Sequence, residues 1–353
     1  MLAAAGLAIL AATPRLPVAA DRYAVTVLPF VPFSSTGGEA LSNRGVVAGG
    51  VAEPDGSVAL AEWSNGVLTR VAVPPGLPTH EFSRLRVFGI NSAGAIVGTV
   101  HTPAGDMPAR SFIYDRATFT VLPLVDPTDL GGAAIGINER GAVVGYDRTA
   151  TNEAKGWLWV NGAYASLPVS GTDTAAFGIN SGGTIIGNRT RNILQRLLAG
   201  EICCPGEQGY VVSNGKAQYL DGFVYAINDR GVAAGGSNSD GRSAAAVFDN
   251  GVTRIILSPP SFAVGINSQG EVVGSYQPAA SNLRHLFMWN AHTGGLDLTP
   301  GGYRSAEAAA INDRGEVLGF GATASGTSQY FLLAPDPQGP LIPKALNSSR
   351  APH

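Results

Sequence analysis

The sequence predicts an all-β protein, a seven-bladed β-propeller of four-stranded antiparallel blades, on three observations. One short motif recurs seven times at steps of 39 to 49 residues. Strand-like runs joined by tight-turn signals follow each recurrence. The chain also lacks a fourth strand near its C-terminal end and carries a spare one near its N-terminal end.

The motif is (Gly/Ala)-Ile-Asn-x-x-Gly-x-Val-x-Gly. Its copies read ALSNRGVVAG (40–49), GINSAGAIVG (89–98), GINERGAVVG (136–145), GINSGGTIIG (178–187), AINDRGVAAG (226–235), GINSQGEVVG (265–274) and AINDRGEVLG (310–319). The first copy is degenerate, with Leu41-Ser42 in place of Ile-Asn. The turn glycines are Gly45, Gly94, Gly141, Gly183, Gly231, Gly270 and Gly315. A β-rich repeat of about 40–50 residues has the length of a propeller blade.

The third copy shows how four strands arise. Strand A is expected at Ala133–Asn138, B at Ala142–Tyr146, C at Gly156–Val160 and D at Ala163–Leu167. Between A and B, Asn-x-x-Gly suits a type I turn whose Asn bonds nearby backbone and whose Gly takes the left-handed position. Between C and D, four copies use Asn-Gly (Asn65-Gly66, Asn161-Gly162, Asn214-Gly215, Asn250-Gly251), a strong short hairpin signal. Two positions before the Asn the residue is always small: Ala40, Gly89, Gly136, Gly178, Ala226, Gly265 or Ala310. First strands crowded around a central axis require that, so the repeated Asn and Gly residues read as architecture rather than catalysis.

The ends complete the ring. After the seventh strand C (Gln329–Leu333) the chain enters the Pro-rich run PDPQGPLIPK without a strand D. The orphan run Tyr23–Leu28, followed by Pro29, matches the strand D of the second copy, Phe119 to Leu122 followed by Pro123. The N-terminal run is expected to supply the missing strand in a 3 + 1 closure, which removes an open sheet edge. The propeller then spans 21–334, and 335–353 is a disordered tail.

Composition agrees. Charged residues are 14% against about 25% in ordinary soluble domains. The chain carries 13 Phe, 10 Tyr and 4 Trp, enough for a core, and its net charge is −3. No clustered cationic footprint of a nucleic-acid binder is visible. No apolar stretch after residue 20 is long enough to span a bilayer. Leu2 to Ala12 is a short apolar segment, and Val18-Ala19-Ala20 places small residues at −3 and −1 before Asp21. Residues 1–20 therefore read as a signal peptide, although no Lys or Arg precedes the apolar run. The mature chain is expected to be secreted, periplasmic or at the cell surface.

The repeats resemble those of the bacterial HAF-repeat family, through the GIN-x-x-G-x-VVG core and an aromatic third strand. RHLFMW (284–289) lies nearest the tripeptide that names that family, with SFIY (111–114), GWLW (156–159) and QYFLL (329–333) further off. The resemblance covers roughly 23–334 and implies export and a propeller-like fold. It implies no activity.

In such a meander the A–B and C–D turns share one end, and the longer B–C and D–A connections share the other. Loops on a rigid scaffold are where binding usually resides, so the long-loop end is the candidate site. Its chief loops are 74–86, 101–110, 188–208 and 298–308. The 188–208 insertion holds the only cysteines, Cys203 and Cys204; being adjacent, they make strained disulfide partners. Weak catalytic candidates there are His80, His101, His285, Arg84 and Arg110; candidate binding residues are Asp173, Asp221, Arg86 and Tyr303. No metal set, phosphate loop or Ser/His/Asp order stands out, and no cofactor is expected. Two functions follow. One is a non-catalytic scaffold for an extracellular or periplasmic protein, peptide or glycan. The other is a secreted propeller lyase or hydrolase with a His/Arg/Asp site at the channel mouth.

Overall fold

The computed structural model describes residues 15–31, 38–54, 58–72, 85–100, 109–171, 173–189, 208–239, 242–279 and 281–336. These residues form seven four-stranded antiparallel sheets, one per motif copy. The chain is a seven-bladed β-propeller. The A strands of neighbouring blades touch all the way round, blade 7 against blade 1 included. In blade 3 the strands are Gly131–Ile137, Val143–Arg148, Ala154–Val160 and Ala163–Ser166. The first three extend further toward the long-loop end than hydrophobic alternation suggested, because backbone pairing continues through Gly131, Gly132, Asp147 and Arg148.

Closure is 3 + 1. Blade 7 comprises Tyr303–Ile311, Val317–Thr323 and Ser328–Pro335, with Tyr23–Val27 as its outer strand. Val25 lies opposite Leu333 and Val27 opposite Phe331. Pairing carries the propeller slightly past the expected boundary at 334: the last strand reaches Pro335, and Asp336 N–H donates to the Arg22 carbonyl at 2.8 Å. The expected 298–308 loop is also shorter, since strand A of blade 7 already begins at Tyr303.

The turns follow from residue type. The seven A–B turn glycines have φ between +72° and +84°, and the four Asn-Gly pairs have positive φ at both residues. Left-handed backbone suits glycine and, at lower cost than most side chains, asparagine.

The motif asparagine does more than shape its turn. Its Oδ1 accepts the N–H four residues on, as in Ala95 N to Asn91 Oδ1 at 2.9 Å and Ala142 N to Asn138 Oδ1 at 2.9 Å. Its Nδ2 donates to the motif carbonyl of the next blade. Asn91 reaches Asn138 (3.1 Å), Asn138 reaches Asn180 (3.0 Å) and Asn180 reaches Asn228 (3.1 Å). Asn228 then reaches Asn267 (3.0 Å), Asn267 reaches Asn312 (3.1 Å) and Asn312 reaches Ser42 (3.0 Å). Six blade junctions are tied this way, each bond worth about 1 kcal/mol net.

The glycine that ends the motif is needed for a different reason. Gly98, Gly145, Gly187, Gly274 and Gly319 lie directly opposite Phe112, Trp157, Tyr210, Phe287 and Phe331 of strand C. Those rings lie over the bare backbone, and a Cβ on Gly145 would sit 2.8 Å from the Trp157 ring and collide with the Ala133 carbonyl. The five aromatic side chains are at most 2% exposed, and each contributes roughly 1.5–3 kcal/mol by burial.

Residues ahead of the first strand also pack. Ala19 N–H donates to the Asp297 carbonyl (2.9 Å) and Asp297 N–H to the Pro17 carbonyl (2.8 Å). Ala19 and Ala20 are buried. The described part of the 1–20 segment thus lies along the outer strand of blade 6.

Candidate functional site

The two ends of the propeller differ. At the short-turn end the channel mouth is a cavity of about 190 Å³ lined by the motif isoleucines and asparagines and by Glu139, Asp229 and Asp313. These carboxylates are engaged between blades. Glu139 accepts from Ser92, Asp229 from Ser181 and Asp313 from the Ser268 N–H, all at 2.8 to 3.2 Å. They extend the asparagine ties.

At the long-loop end, His80, His101, Arg84, Cys203 and Cys204 lie outside the described residues, as does most of 74–86, 101–110 and 188–208. Arg86 and Arg110 open the A strand (Arg86–Ile90) and C strand (Arg110–Tyr114) of blade 2, both half-buried. Their charges act on blade 3. Burial pushes the Tyr146 phenol up to about 12, and Arg86 moderates the shift. Burial also raises the Asp147 carboxyl pKa, against hydrogen bonds from Val125 N–H and Trp157 Nε1 (2.7 and 2.9 Å) and the charge of Arg110.

Asp173 and Asp221 share a repeat position and little else. Asp173 is buried, with φ +52°, and accepts the Ala154 N–H at 3.1 Å. Asp221 is exposed before strand A of blade 5, Phe223–Ile227. Tyr303 packs its ring edge-on against Phe331 at 4.9 Å, and its hydroxyl accepts from Gln329 Nε2.

His285 is better placed. Blade 6 consists of Ser261–Ile266, Val272–Tyr276, His285–Asn290 and Gly294–Asp297. His285 Nδ1 lies 2.9 Å from Asp297 Oδ2, and the Tyr276 hydroxyl donates to the same oxygen at 2.9 Å. Asp297 Oδ1 accepts the Thr299 N–H at 2.8 Å. Burial, and then the Asp297 charge, raises the Tyr276 pKa. The carboxylate orients the imidazole, as it would for a general base. No Ser, Thr or Cys hydrogen-bonds the imidazole among the described residues. The described candidates come from blades 2, 4, 5, 6 and 7 and the linkers that precede their strands.

Sequence reasoning missed a pocket beside this cluster. At the junction of blades 5 and 6 a cavity of about 190 Å³ is lined by Arg242, Ser243, Pro260, Ser261, Phe262, Ser275, Tyr276, Gln277 and Arg284. Ser243 is 6% exposed and Ser275 0%, and neither hydroxyl has a hydrogen-bond partner. Buried polar groups without partners are uncommon. Arg284 stands over Phe262, 5.2 Å from the ring centroid, and pairs with Glu307 at 2.9 Å. Arg242 is exposed and makes no ion pair among the described residues.

One sequence signal could have found Ser275. It follows the last motif glycine, where Thr99 reaches the Gly132 carbonyl of the next blade and Asn188 brackets Val224. Ser275 has the hydroxyl reach of threonine but makes no such bond. Among the described residues, no three His, Cys, Asp or Glu side chains come together to hold a metal ion.

No protein-family model matches the chain, and no curated protein matches it. Solved structures do. A puromycin-hydrolyzing peptidase of Mycobacterium tuberculosis is similar over 90% of this chain at 12% identity and TM-score 0.53. That alignment takes in 53% of the peptidase, so the chain spans about half its length. A chain in a mitotic checkpoint complex is similar over 94% of this chain and 96% of its own, at 10% identity and TM-score 0.52. The BP39L lectin of Burkholderia pseudomallei covers 88% of this chain and 99% of its own at 9% identity, with TM-score 0.49. At these identities the likeness concerns the fold alone.

Proposed function

We propose that this chain is an exported, non-catalytic binding or scaffold propeller that recognises a glycan, peptide or envelope partner through its long-loop end. The observation that carries the reading is the pocket of about 190 Å³ between blades 5 and 6, which is bordered by Arg242 and Arg284 where the B–C connections of those blades enter strand C. The resemblance to HAF repeats and the apolar N-terminal segment support export.

The second reading, a secreted lyase or hydrolase, rests on the His285–Asp297 pair. It needs an acid, nucleophile or activated water opposite the imidazole, and scaffold residues alone do not supply a reaction.

The test is to immobilise the full chain and challenge it with envelope extract and fractionated glycans, following both retention and release of breakdown products. Retention without chemical change, lost on Arg242→Met, is expected. Breakdown of a retained glycan or peptide that stops on His285→Ala would overturn the binding reading in favour of the enzyme.

A further inference from the structure

We infer that the mature protein keeps Leu16–Ala20, so that export cleavage falls upstream of Leu16 rather than between Ala20 and Asp21. The existence of a cleavage rests on the export reading above; its place rests on how this segment packs.

The segment is built into blade 6. Val18 bridges Asp297 in parallel along the free edge of the outer strand. Ala19 N–H donates to the Asp297 carbonyl at 2.9 Å, and Asp297 N–H returns a bond to the Pro17 carbonyl at 2.8 Å. Among the described residues no other blade carries a fifth segment on its outer strand. The side chains alternate as a strand's do. Val18 is 57% exposed, whereas Ala19 is 1% exposed and packs with Leu286 and Leu298 of blade 6 and Phe331 of blade 7. Leu16 lies over Gly295, where a Cβ would stand 3.1 Å from the leucine side chain. Its N–H also reaches the Tyr276 hydroxyl at 3.4 Å.

Small residues in Val18-Ala19-Ala20 suit a signal-peptidase site, but the fold supplies its own reason for two of them. Ala19 fills the outer end of the interface between blades 6 and 7. Ala20, also buried, opens the single 3-10 turn Ala20–Arg22, in which Arg22 N–H donates to the Ala19 carbonyl at 3.2 Å. A cut after Ala20 would fall inside that turn. It would also break one continuous run that continues as the outer strand of blade 7, Tyr23–Val27, and reaches blade 1 at Val31. The edge N–H and carbonyl groups set free would pass to water at little cost. The burial of Leu16 and Ala19 would be lost without replacement.

The first experiment is intact mass and N-terminal sequencing of the protein recovered from the envelope and medium of its native host. A first residue at or before Leu16 is expected. A start at Asp21 overturns the inference. An intact Met1 keeps the segment and overturns the export reading instead, so the two failures are distinguishable.

Val18→Glu separates the two causes of the small residues. A charge at the −3 position blocks cleavage after Ala20, but at this solvent-facing site it disturbs no packing. The variant is expected to be processed to the same N-terminus as the parent and to melt within about 1 °C of it. Accumulation of an uncleaved precursor would place the cut after Ala20 and overturn the inference. Finally, a chain begun at Arg15 should melt with the full chain, and one begun at Asp21 should melt lower by roughly 3–6 °C. Ala19→Glu reads the same contact without truncation, and should lower the melting temperature no further than removal of the segment does, because the segment can detach. Equal melting of all these chains would show that Leu16–Ala20 adds nothing to the fold.

Discussion

Strand A of blade 3 bulges at Ile135, between the pairs Ala134–Gly145 and Gly136–Val144. Strand A of blade 1, Glu39–Leu41, pairs with Val47–Ala52 without any shift. Losing the bulge moves each earlier residue by one place. Counted back from the motif Asn, Glu39 would fall on the bulge with Ile135. In the structure it opposes Gly49 and takes the place of Ala134, which in the other blades holds Val87, Ala176, Val224, Ala263 or Ala308. A carboxylate thereby enters a layer reserved for small apolar groups.

The same blade lacks the ring that covers its last motif glycine. Gly49 faces Ala61, where Gly145 faces Trp157. The space is filled from elsewhere: a Cβ on Gly49 would lie 2.9 Å from Phe30, whose neighbour Val31 donates its N–H to the Gly50 carbonyl. Phe30 belongs to the segment that leaves the closing strand. The first copy is thus degenerate where the closing segment completes it, with Phe30 standing in the place of the missing strand-C aromatic.

That comparison breaks most visibly at Phe30. If its ring stands in for the missing strand-C aromatic, Phe30→Ala should cost about 3–5 kcal/mol, as buried Phe→Ala changes do. Phe112→Ala in blade 2 should cost the same within a factor of two. Denaturant unfolding of both variants measures this, and a loss below about 1 kcal/mol for Phe30 alone would show that blade 1 does not depend on it.

Glu39 gives the next largest effect. Burial raises its carboxyl pKa from 4.5 to about 9, with the Tyr330 hydroxyl offsetting only part of the shift. The folded protein therefore holds this proton more tightly than the unfolded chain does. The stability linked to it is fully present below pH 4.5 and is lost as pH rises toward 9. Glu39→Gln keeps the shape and removes the ionisation. The variant and the parent should melt alike near pH 4, and the variant should be more stable by on the order of 3 kcal/mol near pH 8. A melting difference independent of pH would mean that the carboxylate ionises without penalty in the folded state.

Much of this architecture was legible in the sequence, because it is written locally. Asn-x-x-Gly and Asn-Gly impose turns through the φ preferences of two residues, and the orphan Tyr23–Leu28 declared the closure by lacking a partner of its own. What joins the blades was not legible. The Asn138 to Asn180 bond links residues 42 apart through a side-chain nitrogen whose local role, the turn, already explained the Asn. The pairing of His285 with Asp297 was hidden likewise, since the Asp closes a strand D with no unusual pattern. Ser243 and Ser275 were invisible for a simpler reason: serine is common, and only the absence of a partner marks them. Asp173 and Asp221 show the converse, as equal places in the repeat proved to be one buried cap and one exposed side chain.

The smallest expected effect concerns the tie that blade 1 cannot make. Ser42 keeps the turn of its blade: its N–H donates to the Val46 carbonyl, Gly45 N–H to the Ser42 carbonyl, and its Oγ accepts the Val46 N–H at 3.0 Å. It also receives the Asn312 tie from blade 7. What serine lacks is reach, and its Oγ makes no bond to blade 2 among the described residues. Ser42→Asn would keep the acceptor that the turn uses and add an Nδ2 aimed, by analogy with the other six turns, at the Asn91 carbonyl. One added hydrogen bond between buried groups is worth about 1 kcal/mol, so unfolding should move to slightly higher denaturant with an unchanged slope. The gain should vanish when Asn91 is replaced by Pro or when the turn is opened by Gly45→Val, because both remove the geometry that the new amide needs. A neutral or destabilising Ser42→Asn would mean that the bulge missing from strand A, rather than the missing amide, sets the spacing between blades 1 and 2.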